Sequence, residues 1–199
     1  MRFFTSDTHF NHANILNLGD GRPFDSIEQH NMGLVNRWNT VVGPEDEVFH
    51  LGDAALGPWP IGLLMMALCL GRKILIPGNH DRISSVESEK RRERFLPDYE
   101  DAFDEIWAEV SDIELSDGTK VLLSHYPYEG DSHDGDRFTS IRPVDDGQIL
   151  LHGHNHCGPE ERISWTSRGT MQIAVGVDAN DWAPVSEDQV IEWISTAGR

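Results

Sequence analysis

The segment 149–156, ILLHGHNH, is a short apolar run that is followed at once by a glycine and by closely spaced histidines. The run has the length of a buried strand, and a glycine permits a sharp turn at its end. The same succession of an apolar run and a polar turn recurs at residues 2–5, 47–51, 73–77, 121–124 and 172–177. We interpret these runs as buried strands, so the segment 149–156 represents the repeating unit of the fold.

Helical patterns separate the early strands. Two of them begin with a serine followed three residues later by a glutamine, at Ser26–Gln29 and Ser186–Gln189, and this spacing is typical of a capping box. Alternating strands and helices favour parallel pairing, whereas residues 113–121 contain Asp-Gly and indicate an antiparallel hairpin. The sequence therefore predicts an α/β (α+β) fold with one mixed sheet or two packed sheets.

Length and composition limit the class of protein. At 199 residues we expect a single domain over residues 1–199. The formal net charge of −18 repels polyanions, so we expect no extended nucleic-acid binding.

The apolar segments and the cysteines bear on the cellular setting. Residues 61–70 form an apolar run that is too short to span a bilayer, and we predict a buried helix there and no membrane partner. The chain has two cysteines, Cys69 and Cys157, which imply no disulfide framework. A reducing, cytoplasmic location is expected.

Two further segments are distinctive. Residues 87–94 are rich in charge at helical spacing, and we interpret them as a solvated helix face. Residues 128–147 lack periodicity and are rich in Asp and Gly, which predicts a functional or mobile loop.

Polar side chains that can bind metals follow the predicted strands. They are Asp7, His9, Asp53, Asn79, His80, His125, His154 and His156. The carboxyl ends of strands in α/β sheets meet at one crevice, so these residues can form one site. Each block alone is weak evidence, because a Gly-Asp turn such as Gly52-Asp53 is usually structural and residues 77–81 could be a capped turn with a hydrogen-bonded histidine.

Taken together, the blocks resemble a known signature. Asp7-Thr8-His9, Gly52-Asp53, Gly78-Asn79-His80-Asp81, His125 and Gly153-His154-Asn155-His156 are similar, in order and identity, to the motifs of the calcineurin-like metallophosphoesterase superfamily. The resemblance implies a sandwich of two mixed β-sheets flanked by α-helices in four layers. One departure is Leu56, where many members have an acidic residue or glycine, and this puts the support of that corner in doubt.

The resemblance also implies the role of each residue. Asp7, His9 and His156 would hold one metal, Asn79, His125 and His154 a second, and Asp53 would bridge them. His80 would be the catalytic histidine, with Asp81 as its orienting partner. Mixed imidazole, carboxylate and amide ligands suit two divalent ions of manganese, iron or zinc, with manganese favoured, better than calcium.

A charge count explains why such a site suits a phosphoester. Two divalent cations, the carboxylates of Asp7 and Asp53 and a bridging hydroxide leave about one positive charge in an acidic protein. The expected reaction is in-line attack of that hydroxide on a phosphoester, with His80 protonating the leaving group.

The remaining histidines and arginines are assigned other roles. We expect His30 on the surface, His50 buried and hydrogen-bonded, and His152 supporting the site without ligating. His12 could line the pocket and His133 could contact the substrate, although for each the other interpretation is favoured. Loop arginines could clamp a phosphate but are interpreted as ordinary surface residues, and they are Arg22, Arg137 and Arg142.

The preferred function is that of a metal-dependent phosphodiesterase that acts on a small phosphoester such as a nucleotide. A phosphomonoesterase or phosphoprotein phosphatase is the nearest alternative, because the same metals serve it. A catalytically inactive interaction scaffold is the alternative outside enzymes, but the full ligand set argues against it. A structural zinc site is disfavoured by the two cysteines. The oligomeric state, the natural substrate and the native metal do not follow from the sequence.

Overall fold

Two mixed β-sheets of five strands each form the centre of the fold in the computed structural model, which describes residues 1–18, 21–58 and 60–197. The first sheet has the order β10-β1-β2-β3-β4 and consists of β1 (Arg2–Thr5), β2 (Glu47–His50), β3 (Arg72–Leu75), β4 (Glu105–Ile106) and β10 (Val185–Ser186). The second sheet has the order β5-β6-β7-β9-β8 and consists of β5 (Val110–Glu114), β6 (Lys120–Ser124), β7 (Ile149–His152), β8 (Ile163–Trp165) and β9 (Met171–Ala174). The predicted strands are confirmed, with small shifts at their ends.

The centre of each sheet is parallel and an antiparallel strand lies at its edge. Strands β1 to β4 pair in parallel, and β10 is antiparallel to β1. In the second sheet β6, β7 and β9 are parallel, while β5 and β8 pair antiparallel at the two edges. The predicted hairpin is confirmed as β5–β6. The parallel centres bring the carboxyl ends of β1, β2, β3, β6 and β7 to one region.

The two sheets pack face to face through an apolar layer. Phe4, Phe49 and Ile74 from the first sheet belong to the same buried cluster as Leu123 and Leu151 from the second. Strand residues alternate between the two faces of a sheet, so this layer is built from every second residue. Truncating one of these side chains, such as Leu151→Ala, would cost about 2–5 kcal/mol of stability.

Three helices cover the other face of the first sheet, and they are α1 (Ile27–Val41), α2 (Ile61–Met66) and α3 (Glu89–Ala102). Trp38, Met66 and Tyr99 from these helices are buried in one cluster with Val48 and Leu75 of the sheet. The helix α4 (Glu187–Ala197) instead contributes Val190 to the layer between the sheets. The predicted flanking helices are thereby found on the outer face of the first sheet.

The outer face of the second sheet has a different cover. Gln172 on β9 accepts a hydrogen bond from the backbone of Tyr128 and donates one to Glu129. Within the described part of the chain, this face is therefore covered by the segment after β6, and all four helices lie elsewhere.

The predicted capping box at Ser186 forms in full, and the one at Ser26 forms in part, because the Gln29 side chain accepts from the Asp25 backbone N–H. The Ser26 side chain accepts from the Gln29 backbone N–H at the start of α1. At α4 the exchange is reciprocal, since Ser186 Oγ accepts from the Gln189 N–H and Gln189 Oε1 accepts from the Ser186 N–H. These bonds satisfy backbone donors that the first turn of a helix leaves unpaired.

The prediction of a buried helix over residues 61–70 is wrong in part. The helix α2 ends at Met66, and its Leu63 and Met66 are buried. Ile61 and Leu64 lie on the opposite face and are exposed. A single layer of contacts with the sheet can bury only one face of a helix, so the uniform apolar pattern does not imply uniform burial. None of the helices in the described ranges has the length and apolar character that a membrane crossing needs.

Candidate metal centre

The polar residues that follow the strands meet in one pocket. The pocket has a volume of about 460 Å³, and the predicted site residues among those lining it are His9, Asp53, Asn79, His80, His154 and His156. Asp7 and His125 are buried next to them. The structure thus brings together residues that are up to 149 positions apart in sequence, as the convergence of strand ends predicts.

The first group consists of Asp7, His9 and His156, whose ligand atoms lie within 4.8 Å of one another. Asp7 Oδ1 is 4.0 Å from His9 Nε2 and 3.7 Å from His156 Nε2. His9 Nε2 is buried and has no hydrogen-bond partner within the described residues. Buried imidazole nitrogens are normally paired, so this atom is poised for a ligand.

The second group consists of Asp7, Asp53 and His125. His125 Nδ1 lies 2.8 Å from the Leu51 carbonyl, and its Nε2 lies 3.5 Å from Asp53 Oδ2 and 3.2 Å from Asn79 Oδ1. Donation from Nδ1 to Leu51 leaves the lone pair on Nε2, which is the form that binds a metal. The carboxylate of Asp53 therefore lies between His125 and His9, whose Nε2 is 3.6 Å away.

His154 is beside these groups and makes a contact that the sequence analysis missed. Its Nε2 lies 3.0 Å from Oδ2 of Asp131, which is in the segment after β6. Its ring is 5.2 Å from the His125 ring, centroid to centroid. Its backbone N–H donates to Asp7. The contact with Asp131 leaves Nδ1 as the nitrogen available to a ligand.

His80 lies at the mouth of the pocket, with 42% of its side chain exposed and Nε2 4.0 Å from Asp53 Oδ2. Its backbone N–H donates to Asp53 Oδ1. The imidazole can therefore reach a molecule in the pocket, while its backbone helps to hold the Asp53 carboxylate.

The prediction that Asp81 orients His80 is wrong. Asp81 Oδ2 accepts from the backbone N–H groups of Asp53 and Gly78, each at 2.8 Å, and Oδ1 accepts from Ala54 and from the Tyr99 hydroxyl. The Asp81 carboxylate is therefore occupied by three backbone donors of the loops and by the Tyr99 hydroxyl of α3. Burial raises the pKa of Asp81 to about 7. Asp81 thus holds the loops after β2 and β3 together, at the corner where Leu56 left the support in doubt.

Two glycines allow the ligand-bearing loops to approach closely. A Cβ built on Gly78 would lie 2.4 Å from Asp53 Oδ1, and one built on Gly153 would lie 2.5 Å from Asp7 Oδ2. Such distances are far below van der Waals contact, so a larger residue would displace the carboxylates.

The backbone of the site is strained at the predicted ligands. Five of the seven have φ between 45° and 71°, and they are Asp7, His9, Asp53, His154 and His156. For residues with a side chain this left-handed conformation is uncommon and costs about 1–3 kcal/mol at each position. Such strain persists where surrounding contacts enforce it, and it concentrates at functional sites.

Comparisons with known proteins identify relatives over almost the whole chain. The gene 66 protein of Mycobacterium phage D29 is 38% identical over 192 residues, which cover 93% of this chain and 92% of that protein. The gene 66 protein of Mycobacterium phage L5 is 33% identical over 202 residues, which cover 97% of this chain and 93% of that protein. This chain belongs to one family with these gene 66 proteins.

The fold is also that of a solved structure. The protein of unknown function AQ665 from Aquifex aeolicus has a TM-score of 0.67 and 29% identity, over 96% of this chain and 98% of AQ665. No family model matches the chain. The motif blocks nevertheless keep their order, lie at the strand ends of two mixed sheets and converge on one pocket. This arrangement agrees with what the sequence resemblance to the calcineurin-like metallophosphoesterase superfamily implies.

A second layer of residues supports the first group. Asp178 accepts from Arg22 Nε and Nη2, at 3.0 and 2.8 Å, and its Oδ2 lies 3.0 Å from His156 Nδ1. Burial opposes ionisation of Asp178, but Arg22 and His156 hold its pKa below the ordinary value. Hydrogen-bonded carboxylates of this kind orient ligand imidazoles in metal sites.

The prediction of Arg22 and His30 as surface residues is wrong. Both are buried, and Arg22 Nη1 lies 2.9 Å from His30 Nε2. Arg22 also donates to the carbonyls of Asp7 and Thr8, so it fastens the loop after β1. A charged side chain is buried here because partners distant in sequence satisfy it.

The arginines of the segment after β6 also differ from the prediction. Arg142 is buried and donates to Asp131 Oδ2 and to the Gly130 carbonyl, so it is no ordinary surface residue. Arg137 is partly exposed, lines the pocket and donates to Asp131 Oδ1 through Nε and Nη2. The predicted functional loop is thus organised around one carboxylate.

The other histidines can now be placed. His12 lines the pocket, against the favoured interpretation, and His133 lines it as well. His50 is buried and lies 2.9 Å from Thr8 Oγ1, as predicted. His152 is buried with Nδ1 2.8 Å from the Gly153 carbonyl, which matches a supporting position.

The electrostatics of the site suit a cation. Burial raises the pKa of Asp7, and it lowers the pKa of His9 well below the ordinary value and that of His12 to about 4. The His9 imidazole is therefore neutral, which is the form that binds metals. Burial also opposes protonation of His156, but the carboxylates of Asp7 and Asp178 raise its pKa above the ordinary value. The Asp and His groups could bind metal, since their oxygen and nitrogen donors fit a divalent ion and the unpaired His9 Nε2 would gain a partner.

Proposed function

We propose that this protein is a dinuclear metal-dependent phosphodiesterase that acts on a small phosphoester such as a nucleotide. The observation that carries the proposal is the unpaired, buried His9 Nε2 beside the carboxylates of Asp7 and Asp53. A buried, unpaired ring nitrogen and two buried carboxylates at this spacing would be costly without a cation.

The proposed ligands follow the two groups. Asp7, His9 and His156 would hold one ion, Asn79, His125 and His154 would hold the second, and Asp53 would contact both. The position of Asp53 between His9 and His125 supports the bridging role. His154 would ligate through Nδ1, because its Nε2 lies against Asp131. Divalent ions bound there would polarise a phosphoryl oxygen and lower the pKa of a water molecule.

The chain itself would supply orientation and a proton. Asp178 and the Leu51 carbonyl would fix the rings of His156 and His125 in the ligating form. His80 would protonate the leaving oxygen, since its imidazole is accessible at the pocket mouth and is outside the proposed ligand set.

The small amount of positive charge that the chain places in the pocket favours a diester over a monoester. A phosphodiester carries one negative charge near neutral pH, whereas a monoester carries up to two. Arg22 and Arg137 line the pocket, but their charges are balanced by Asp178 and Asp131, at 2.8 and 2.6 Å. Little positive charge from the chain remains for a dianion, and this supports a diester substrate.

The test is metal analysis of the purified protein followed by assays with manganese, iron or zinc added separately. Rates on bis(p-nitrophenyl) phosphate and p-nitrophenyl phosphate would be compared by kcat/KM. We expect a metal-dependent rate that is higher on the diester and is lost after chelation. Asp53→Asn should abolish it, while Asp112→Asn, at an exposed position of β5, should not. Metal-loaded protein that hydrolyses no ester would favour the scaffold alternative, and faster monoester hydrolysis would favour a phosphatase.

A further inference from the structure

Three arginines near the site could contact an anionic substrate, and the structure separates them by the hydrogen bonds they already make. Arg22 uses all of its N–H groups on Asp178, His30 and the carbonyls of Asp7 and Thr8. A guanidinium has five N–H donors, so none remains for a substrate. Arg22 is therefore a fastening residue although it lines the pocket.

Arg142 is also committed to internal partners. Its Nε donates to the Arg137 carbonyl, its Nη1 to Pro127 and Gly130, and its Nη2 to Asp131. Its side chain is buried, and it is not among the residues that line the pocket. Arg142 therefore cannot reach a substrate without breaking the loop that it holds.

Arg137 differs from Arg22 and Arg142 both in its access to the pocket and in the hydrogen bonds that it makes. Its side chain is 40% exposed and lines the same pocket as His80 and His154. Nε and Nη2 donate to Asp131 and Ser132, whereas Nη1 has no hydrogen-bond partner within the described residues. One face of the guanidinium is thus fixed by the protein, and two N–H donors remain available.

Asp131 holds Arg137 in place before any ligand binds. The Asp131 side chain is fully buried, and its Oδ1 accepts from Arg137 Nη2 at 2.6 Å and from Nε at 2.9 Å. The other oxygen, Oδ2, lies 3.0 Å from His154 Nε2. One carboxylate therefore connects the guanidinium to a proposed metal ligand. A pre-oriented donor loses little conformational entropy on binding.

We propose that Arg137 is a substrate-binding residue whose Nη1 donates to an anionic phosphate oxygen of the substrate. This inference rests on the proposed function, because it places the substrate in the same pocket. In a chain of net charge −18, a fixed guanidinium beside the metal groups supplies the local attraction that an anion needs. The oxygen belongs either to the phosphate that is cleaved or to a second phosphate of the substrate.

Binding of inorganic phosphate to the manganese-saturated protein tests the contact by calorimetry, without any turnover. Arg137→Gln should weaken phosphate binding about 10- to 100-fold, as expected for one charge-assisted contact. Arg168→Gln is the matched control, since it removes the same charge at an exposed turn and should change the affinity less than about twofold. Saturating manganese prevents a loss of metal affinity from imitating the effect.

Arg137→Lys covers the case in which the glutamine variant disturbs the loop. Lysine keeps the positive charge but cannot bind Asp131 and a phosphate oxygen at once as the planar guanidinium does. Phosphate affinity should therefore fall to a level between those of wild type and Arg137→Gln. Thermal unfolding and manganese content of each variant report on the loop and on His154. Phosphate affinities of both Arg137 variants within about twofold of Arg168→Gln, together with no loss of kcat/KM on a diester that carries a second phosphate, would overturn the proposal.

A matched pair of diesters identifies which phosphate Arg137 contacts. If the contact is to the cleaved phosphate, Arg137→Gln lowers kcat/KM equally on TpT and on 5′-phosphorylated pTpT. If the contact is to a second phosphate, the loss is confined to pTpT. Either pattern supports the proposal, and no loss on either substrate contradicts it. A wild-type protein that binds phosphate through Arg137 but cleaves neither ester would contradict the proposed activity and not the binding site.

Discussion

The Nδ1 atom of His156 lies 3.0 Å from Oδ2 of Asp178, and the same carboxylate binds Arg22 through two nitrogens. His156 is therefore held by a residue 22 positions further along the chain, which is itself fixed by a buried arginine. The proposed ligand is oriented before a metal arrives, so its contribution to metal affinity depends on Asp178.

Replacing Asp178 by asparagine should weaken manganese binding about 10- to 100-fold, because an amide is a poorer acceptor for the imidazole N–H and leaves Arg22 without its ion pair. Calorimetric titration of the metal-free protein with manganese measures the effect. Asp112→Asn is the control for loss of one negative charge at an exposed site. Equal affinities in the two variants would show that Asp178 does not support the metal site.

Replacing His80 by alanine should lower turnover about 10²- to 10⁴-fold, the usual contribution of a general acid. The manganese content should not change, because the contact of residue 80 with Asp53 is through the backbone N–H, which alanine retains. Metal analysis and steady-state rates on the same preparation test both statements. Full turnover would remove His80 from the proposed mechanism, and loss of metal would make it a structural residue of the site.

Replacing Gly153 by alanine should displace Asp7 and lower metal occupancy, because the new Cβ would lie 2.3 Å from Ser6 Oγ and 2.5 Å from Asp7 Oδ2. Gly158→Ala is a control in the same segment, since a Cβ there meets nothing within 4 Å. The comparison is made by metal content after dialysis against manganese. Similar occupancy in both variants would mean that the loop relaxes around the added methyl group.

Replacing Asp81 by asparagine should lower the free energy of unfolding by about 1–3 kcal/mol, because one of the two oxygens that accept from Asp53, Ala54 and Gly78 becomes an amide nitrogen. Denaturant unfolding of the metal-free protein measures the change without interference from ligand binding. Asp112→Asn should stay within about 0.5 kcal/mol of wild type. An unchanged stability would show that water or side-chain rotation replaces these bonds.

The strands and the convergence of the motif residues could be predicted because both depend on local pattern. The apolar run 149–152 becomes β7, and its turn brings His154 and His156 to the pocket as the strand-end rule requires. The position of Asp7 beside the same pocket, 147 residues before His154 in sequence, follows from the same rule applied to β1.

The supporting residues could not be predicted because their environment comes from distant segments. Arg22 looks like any loop arginine until Asp178 is placed beside it, and the burial of His30 follows from Arg22. The role of Asp131 could not be predicted, because it depends on the path of residues 128–147, whose sequence has no strand or helix pattern. Asp81 was misassigned because adjacency in sequence to His80 does not imply contact, since the carboxylate and the imidazole leave the backbone in different directions.

The left-handed backbone at five proposed ligands lowers the stability of the fold, while the side chains at these positions are needed for activity. Folding alone would favour glycine at Asp7, Asp53 and His156, since glycine adopts this conformation without steric cost. A chain that served only as a scaffold could relax these positions at no loss, whereas a catalyst must keep the side chains and accept a less stable fold. Engineering for thermal stability should therefore leave these ligand positions unchanged and strengthen the helices on the outer face of the first sheet.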